Sequence, residues 1–549
     1  MKKIKAAAFA VTATIVFSGF FPSDTDIYFR IAKSIDTFGK IYKEISLNYV
    51  DKINPEEFII SGVKGMLTQL DPYTSYIDSK DQKDLDLLST GKYGGIGITV
   101  GIEDDKVIVI DMAEGYSAQR QGVRIGDIIL KVDDLEITPE NSEQLSIIPR
   151  GEPGTIVKLA VRREGIEEPL KFELVREQIE INNIYYYGFI PENSNNAYLK
   201  LSGFSRTAGE DVKKALAELK QSKEIKSIVL DLRGNPGGLL DAAIDVCEKF
   251  LKKGDKVVSI IGRDSTKKKD YFSNEEPVSG DIPLAVLVDN GSASASEIVA
   301  GAIQDHDRGV IVGSATYGKG LVQTVIPLSD NTSLKMTTAR YYTPSGRCIQ
   351  KISYSEKNKV FETHGANKKN QFYTDKKRKV FSAGGIEPDS SVAEDRLSPV
   401  TMKLLAEGMF FKFANHYFNA NPNSDIKTLN NDKLFSEFAA YIKDSKFVLA
   451  GRADRTIEQL KRMIKEGNFS EKVQQEVEHL SEELEKAKTA ELERSKKEIV
   501  SEIRDELIDR MLGKKGMIKE FIKSDGTFNI AFNLLGNKKL YNKILNLNE

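Results

Sequence analysis

Apolar positions change their spacing from one stretch of the chain to the next. From residue 26 to about 88 they recur every three or four residues, at Ile27, Ile31, Ile35 and Phe38, then Ile41, Ile45 and Tyr49. That spacing predicts a small helical cap, closed by the helix stop and turn Leu70-Asp71-Pro72-Tyr73. Between 91 and 176 the runs shorten to strand length, at 96–100, 107–110, 127–132 and 157–161. Turn-rich segments such as Arg150-Gly151-Glu152-Pro153-Gly154 separate them, which predicts a compact, mostly strand module. From 196 to 389 apolar strands alternate with helical patterns: 227–232 before 239–251, and 284–288 before 294–304. This alternation predicts an α/β layer structure with functional loops at strand ends. The Lys-rich segment 357–379 has no apolar period and reads as a solvated loop. Beyond 398 helical spacing returns, with Val473, Val477, Leu480, Leu484 and Ala487, then Ile499, Ile503, Leu507 and Met511. Amphipathic helices packed on the body and a dimerising arm both fit that pattern.

The start of the chain adds a compartment. Met1-Lys2-Lys3-Ile4-Lys5 is basic and residues 6–21 are apolar with small residues mixed in, as in an export signal. The stretch is shorter than the roughly 20 residues of a spanning helix, yet no Ala-x-Ala site follows, so a cleaved signal and a retained inner-membrane anchor both stand. The expected location is the periplasm or cell envelope. Lys+Arg of 79 against Asp+Glu of 81 gives a net charge of −2, which argues against nucleic acid as the main partner. Two cysteines, Cys247 and Cys348, make no disulfide framework. The histidines His306, His364, His416 and His479 show no metal spacing, which argues against histidine-based zinc chemistry, and no metal or organic cofactor is expected.

Candidate chemistry lies at three strand ends. Asp289-Asn290-Gly291-Ser292-Ala293-Ser294-Ala295-Ser296-Glu297-Ile298 leaves a serine at a helix start, where unpaired N–H groups and the helix dipole stabilise an oxyanion. A plain serine-rich helix cap fits the same residues. A serine nucleophile needs a base, and His306 lies near the far end of that helix, roughly 18 Å away at 1.5 Å per residue. Tyr317-Gly318-Lys319-Gly320-Leu321-Val322-Gln323 offers Lys319 in a stretch with no other charge, with Gln323 placed to orient it. An exposed Gly-Lys-Gly turn is the competing reading. Asp231-Leu232-Arg233-Gly234-Asn235-Pro236-Gly237-Gly238 forms a glycine cradle for negative charge and matches neither phosphate-binding glycine motif.

Taken together, these segments resemble the carboxy-terminal processing, or tail-specific, serine proteases with a Ser/Lys dyad and a PDZ domain. The resemblance runs from about 59 to 389. It includes Leu70-Asp71-Pro72-Tyr73-Thr74-Ser75-Tyr76, Tyr93-Gly94-Gly95-Ile96-Gly97-Ile98, 231–238, 291–300, Gly318-Lys319-Gly320, 337–347 and Gly385-Ile386-Glu387-Pro388-Asp389, in family order. It implies a multidomain α/β and α+β chain: signal or anchor at 1–22, helical region at 23–88, PDZ domain at 89–176, crotonase/ClpP-like α/β protease core at 177–392 and a helical region at 393–549. By resemblance Ser294 is the nucleophile, Lys319 the general base and Gln323 its orienting partner. Ala295 with Gly237 or Gly238 supplies the oxyanion donors, and Asp231, Arg233 and Glu297 support the site.

In the PDZ module, Tyr93, Gly94, Gly95, Ile96, Gly97 and Ile98 would capture a substrate's terminal carboxylate, with Ile96 and Ile98 lining an apolar pocket and Arg150 reporting occupancy to the core. The expected activity is cleavage of unstructured proteins gripped by their C-termini, through an acyl-enzyme. Expected partners are protein C-termini, an adaptor or lipoprotein, and a second copy in a homodimer. The alternatives are a PDZ-based tail-binding adaptor with a latent protease core and a crotonase-like acyl-CoA enzyme, the latter opposed by the export signal.

Overall fold

Five consecutive apolar residues, Leu284–Val288, form a strand buried at every position, as a strand covered on both faces must be. In the computed structural model, which describes residues 25–79, 91–138, 141, 150–180, 182–329, 331–358, 368–393, 397–445, 452–467 and 469–547, this strand lies inside a six-stranded sheet. The sheet order is Ile184–Phe189, Asn196–Leu201, Ser227–Asp231, Leu284–Val288, Val310–Gly313 and Ser390–Ser391. The first pair is antiparallel and the others are parallel.

Helices Ala208–Ser222, Leu240–Glu248 and Ala295–Asp305 cover one face, packing on Leu199, Leu230, Val286 and Ile311. All eleven residues of Ala295–Asp305 are buried, which accounts for its small and apolar composition. The other face, carrying Tyr198, Val229, Ala285, Leu287 and Val312, is covered by Ile518, Ile522, Phe528, Leu534, Tyr541 and Leu545. Residues 518–545 therefore cover the second face of the six-stranded sheet, whereas 400–442 and 499–508 form a hydrophobic cluster of their own around Phe410, Phe413, Phe438 and Ile503. Helices packed on the body, one of the two readings of this region, are what residues 518–545 form.

The Lys-rich segment also departs from expectation. Gln371–Tyr373 and Lys379–Phe381 pair as an antiparallel hairpin, because Val380 is buried and Arg378 is held by Asp307 and Asp389.

The β-rich module is an antiparallel sheet in the order Ile98–Glu103, Lys106–Met112, Ile128–Val132, Ile156–Arg162, Leu170–Val175. Its core holds Ile96, Val109, Val157, Val161 and Leu174.

By its contacts the chain divides into two units, and of the described residues 25–79, 323–329, 331–337 and 354–358 form the smaller. Within it, helices Thr25–Asn48 and Pro55–Leu67 carry the predicted periodicity, and Tyr42 stacks on Phe58. The Asp71 carboxylate accepts the N–H groups of Tyr73 and Thr74, which turns the chain into the short strand Ser75–Ile77, paired antiparallel with 333–335. Among the described residues the second helix ends at Leu67, and 80–88 of the predicted helical region lies outside them. The predicted signal or anchor at 1–22 lies outside the described residues. No helix among the described residues is long and apolar enough to cross a membrane.

Candidate active site

Ser227–Asp231, Leu284–Val288 and Val310–Gly313 run parallel, so the loops that follow them emerge at one edge of the sheet, where α/β proteins place their chemistry. Asp289 shapes the middle loop: its Oδ1 accepts the N–H of Gly291 at 3.0 Å, the N–H of Gly234 at 2.8 Å and the Ser292 hydroxyl at 3.1 Å. The hydroxyls of Ser292 and Ser296 are spent internally, donating to the carbonyls of Leu232 and Asn235 at 2.9 Å, and both residues are fully buried. Ser294 between them is half-buried at the helix N-cap, with φ 55° and ψ −110°. A side chain in that backbone region stores strain of about 1–3 kcal/mol, which the surrounding hydrogen bonds must offset.

One buried carboxylate supplies those bonds. Glu297 accepts the Ser294 N–H at 2.8 Å, the Thr316 hydroxyl at 2.6 Å, the Gly318 N–H at 2.7 Å and the Lys319 N–H at 2.9 Å. The N–H groups of Ser294 and Lys319 share Oε2, which confines their two nitrogens to within about 6 Å of each other. From the other side the Tyr341 hydroxyl donates to the carbonyls of both Ser294 and Lys319. Burial pushes the Glu297 carboxyl up, against the pull of Thr316 and the three N–H groups.

Gly318 and Gly320 are both buried, so the Gly-Lys-Gly segment is no exposed turn. A Cβ on Gly318 would fall 2.6 Å from Lys351 Cβ, and Gly318 has φ +87°. Lys319 itself is half-buried. Gln323 falls in the smaller unit, where its amide donates to Thr337 Oγ1 at 3.3 Å.

The glycine cradle meets Ser294 through Asn235, whose carbonyl accepts the Ala293 N–H at 3.1 Å and the Ser296 hydroxyl. A Cβ on Gly237 would lie 2.9 Å from both Ser294 Cβ and the Ala295 nitrogen, so glycine is required there. The Gly237 N–H donates to Asn235 Oδ1 at 2.9 Å. Ala295, first residue of the helix, has no intrahelical partner for its N–H.

Asp231, at the strand end, is surrounded by cations: Lys200 at 3.1 Å and Arg233 at 2.7 Å, with the Tyr198 hydroxyl at 2.7 Å. Burial acts to raise its pKa, but Lys200 and Arg233 outweigh it and hold the carboxyl well below the usual carboxylate range. Sequence reasoning passed over Asn235, Thr316 and Tyr341. Asn235 and Tyr341 stand inside quoted motifs and Thr316 just before one, but only the fold aims them at Ser294 and Lys319.

His306 is engaged elsewhere, with Nδ1 at 2.8 Å from Asp375 and Nε2 at 2.7 Å from the Lys256 carbonyl. Burial opposes its charge, but these two acceptors prevail and raise its pKa. No group of His, Cys, Asp and Glu suited to a metal occurs among the described residues.

In the β-rich module, Tyr93, Gly94 and Gly95 are not a free loop. Lys92–Gly95 pairs with Glu177–Glu180, and Gly95 also bridges Arg150, whose guanidinium lies 5.4 Å over the Tyr93 ring. Ile96 and Ile98 are buried in the module's core, and Gly97 between them has φ +83°.

The chain matches peptidase family S41 over residues 195–356, a PDZ domain over 94–174, and the C-terminal helical domain of probable PDZ-proteases over 400–535. The carboxy-terminal-processing protease of Bartonella bacilliformis is 39% identical over 324 residues, 58% of this chain and 73% of that protein. The carboxy-terminal processing protease CtpB of Bacillus subtilis is 33% identical over 320 residues, 58% of this chain and 66% of that protein. Among solved structures, the photosystem II D1 C-terminal processing protease aligns at 26% identity and a TM-score of 0.37, covering 65% of this chain and 87% of that one.

Proposed function

Because the chain belongs to the carboxy-terminal processing proteases, serine peptidases of family S41 with a PDZ domain, we propose that Ser294 and Lys319 are its catalytic dyad. The observation that carries this reading is the Glu297 carboxylate shared by the backbone of both residues.

The Lys319 amine, in its neutral form, takes the Ser294 proton as Oγ attacks the scissile carbonyl carbon. The oxyanion accepts the N–H of Ala295 and that of Gly238, the cradle glycine left once Gly237 is committed to Asn235. The C–N bond breaks as the Lys319 ammonium returns the proton to the leaving amine. Water then attacks the ester carbon as the same amine takes its proton, and the ester C–O bond breaks as the Lys319 ammonium returns that proton to Ser294 Oγ, leaving a carboxylic acid product that ionises. Gln323, four residues after Lys319, is its proposed orienting partner, and Asp231 and Arg233 brace the cradle.

The PDZ module is the proposed grip on unstructured C-termini. Ile98–Glu103 is one of the two edge strands of its sheet among the described residues, so an extended tail can add to it, with the carboxylate near Gly97. The basic start and apolar stretch at 2–21 support work outside the cytoplasm, in the periplasm or cell envelope.

The test is digestion of an unfolded protein ending in apolar residues by wild type, Ser294→Ala and Lys319→Ala. Cleavage by wild type alone, with tail-peptide binding kept in both variants, is expected. Hydrolysis retained in Lys319→Ala removes the dyad.

A further inference from the structure

Asp525 lies far along the chain from the motif residues, just after the helical stretch Lys496–Phe521, which breaks at Gly513, yet its side chain reaches the cradle. Its two oxygens do different work. Oδ1 accepts the Phe528 N–H at 2.7 Å and caps helix Gly526–Gly536, while Oδ2 accepts from Arg233 Nη1 at 2.6 Å. The Asp525 side chain is 4% exposed and that of Arg233 16%.

Arg233 is the residue at which the cradle leaves its strand. Its other nitrogens hold Asp231, its carbonyl accepts Lys200 Nζ at 2.6 Å, and the next residue, Gly234, is tied to Asp289. Without Asp525 the cluster holds Lys200 and Arg233 against Asp231 alone. Asp525 makes it two acids and two bases, the arrangement that buried charge requires. A second contact runs beside the first: the Phe528 ring meets the Tyr198 ring edge-on at 5.7 Å, and Tyr198 donates to Asp231.

We infer that Asp525 is a positioning residue for peptide-bond cleavage, acting through Arg233 to hold the Gly234–Asn235–Gly237 cradle against Ser294. The path is continuous: from Arg233 to Gly234, to Asp289 and Asn235, and from these to Ser292, Ala293 and Ser296 on either side of the nucleophile. The inference rests on the Ser294 reading and extends it, since it makes the end of the chain part of the catalytic apparatus.

Asn and Ser both cap helices well and keep an acceptor for Phe528, but neither carries the charge that faces Arg233. Asp525→Asn and Asp525→Ser, in the full chain and normalised to folded fraction by circular dichroism, are expected to lower kcat about 10- to 100-fold. KM for a tail-bearing substrate and affinity for an uncleavable tail peptide should stay within about twofold, because the cradle acts on the transition state. Asp525→Glu, which keeps the charge, should recover much of the loss. Ser294→Ala is run beside them. If it is inactive while the Asn and Ser variants keep wild-type kcat per folded molecule, or lose tail affinity in step with kcat, only the positioning inference falls. If Ser294→Ala still cuts, the Ser294 reading falls and takes the inference with it.

Discussion

The strand end at Asp231 and the helix start at Glu297 each bury a carboxylate at the candidate site, and the protein solvates the two in opposite ways. Asp231 is met by two cations and a phenol, and its pKa falls. Glu297 is met only by neutral N–H and O–H donors, and its pKa rises. The first arrangement is a brace: charges cancel and geometry is locked. The second is a ruler, in which one acceptor sets the spacing of several backbone donors without bringing a cation into the site. A dyad of serine and lysine needs the second kind near its base, and the cradle tolerates the first.

The comparison breaks most visibly on neutralising each acid. Asp231→Asn leaves Lys200 and Arg233 buried without their shared partner and should destabilise by about 3–5 kcal/mol in chemical unfolding. It should also flatten the acid limb of stability: a depressed carboxyl contributes above its unfolded pKa and loses that contribution as pH falls through the folded value. Glu297→Gln strands no charge and should cost about 1–3 kcal/mol, with turnover falling further than that figure suggests because the spacing of Ser294 and Lys319 relaxes. Here the sign reverses. A raised carboxyl contributes fully below its unfolded pKa and less as pH rises through the folded one, so the stability gap between wild type and Glu297→Gln should narrow toward alkaline pH. Equal costs and parallel pH profiles for the two variants would erase the distinction.

Tyr341→Phe removes the donor on the carbonyl side of the same spacing. A loss of about 1 kcal/mol in stability is expected, with a fall in kcat at unchanged tail-peptide affinity. The smallest effect extends the comparison away from the site. Burial, with Glu502 and Glu506 nearby, pushes the Asp505 carboxyl up to about 6. Asp505→Asn should therefore raise the melting temperature by less than about 2 °C at pH 8 and leave it unchanged below pH 4, read by thermal scans at both pH values.

Legibility in the sequence follows the same division. Ser294 and its helix, Lys319 between two glycines and the cradle are local signals: small residues stand where the backbone turns or approaches closely, and Gly237 and Gly318 bear this out in their crowding. The α/β alternation was visible for the related reason that strands covered on both faces are apolar throughout. What escaped was set by contacts distant in sequence. Asp525 is an ordinary helix cap until the fold brings it to Arg233, and Tyr541 looks like one aromatic among many until its hydroxyl pairs with both backbone groups of Leu284. Helical periodicity predicts that 496–547 buries a face, but carries no information on whether that face meets the protease sheet or its own neighbours. The hairpin at 371–381 was hidden by its lysines, since Val380 and Arg378 anchor it with few apolar residues.

The most direct measurement is intact-mass analysis and peptide mapping of enzyme quenched in acid while turning over an ester of a tail-bearing peptide. With Ser294 as nucleophile and Lys319 as base, the acyl adduct should map to Ser294 in wild type and form far more slowly in Lys319→Ala. An adduct on another residue, or one that forms at an undiminished rate without Lys319, would contradict the dyad.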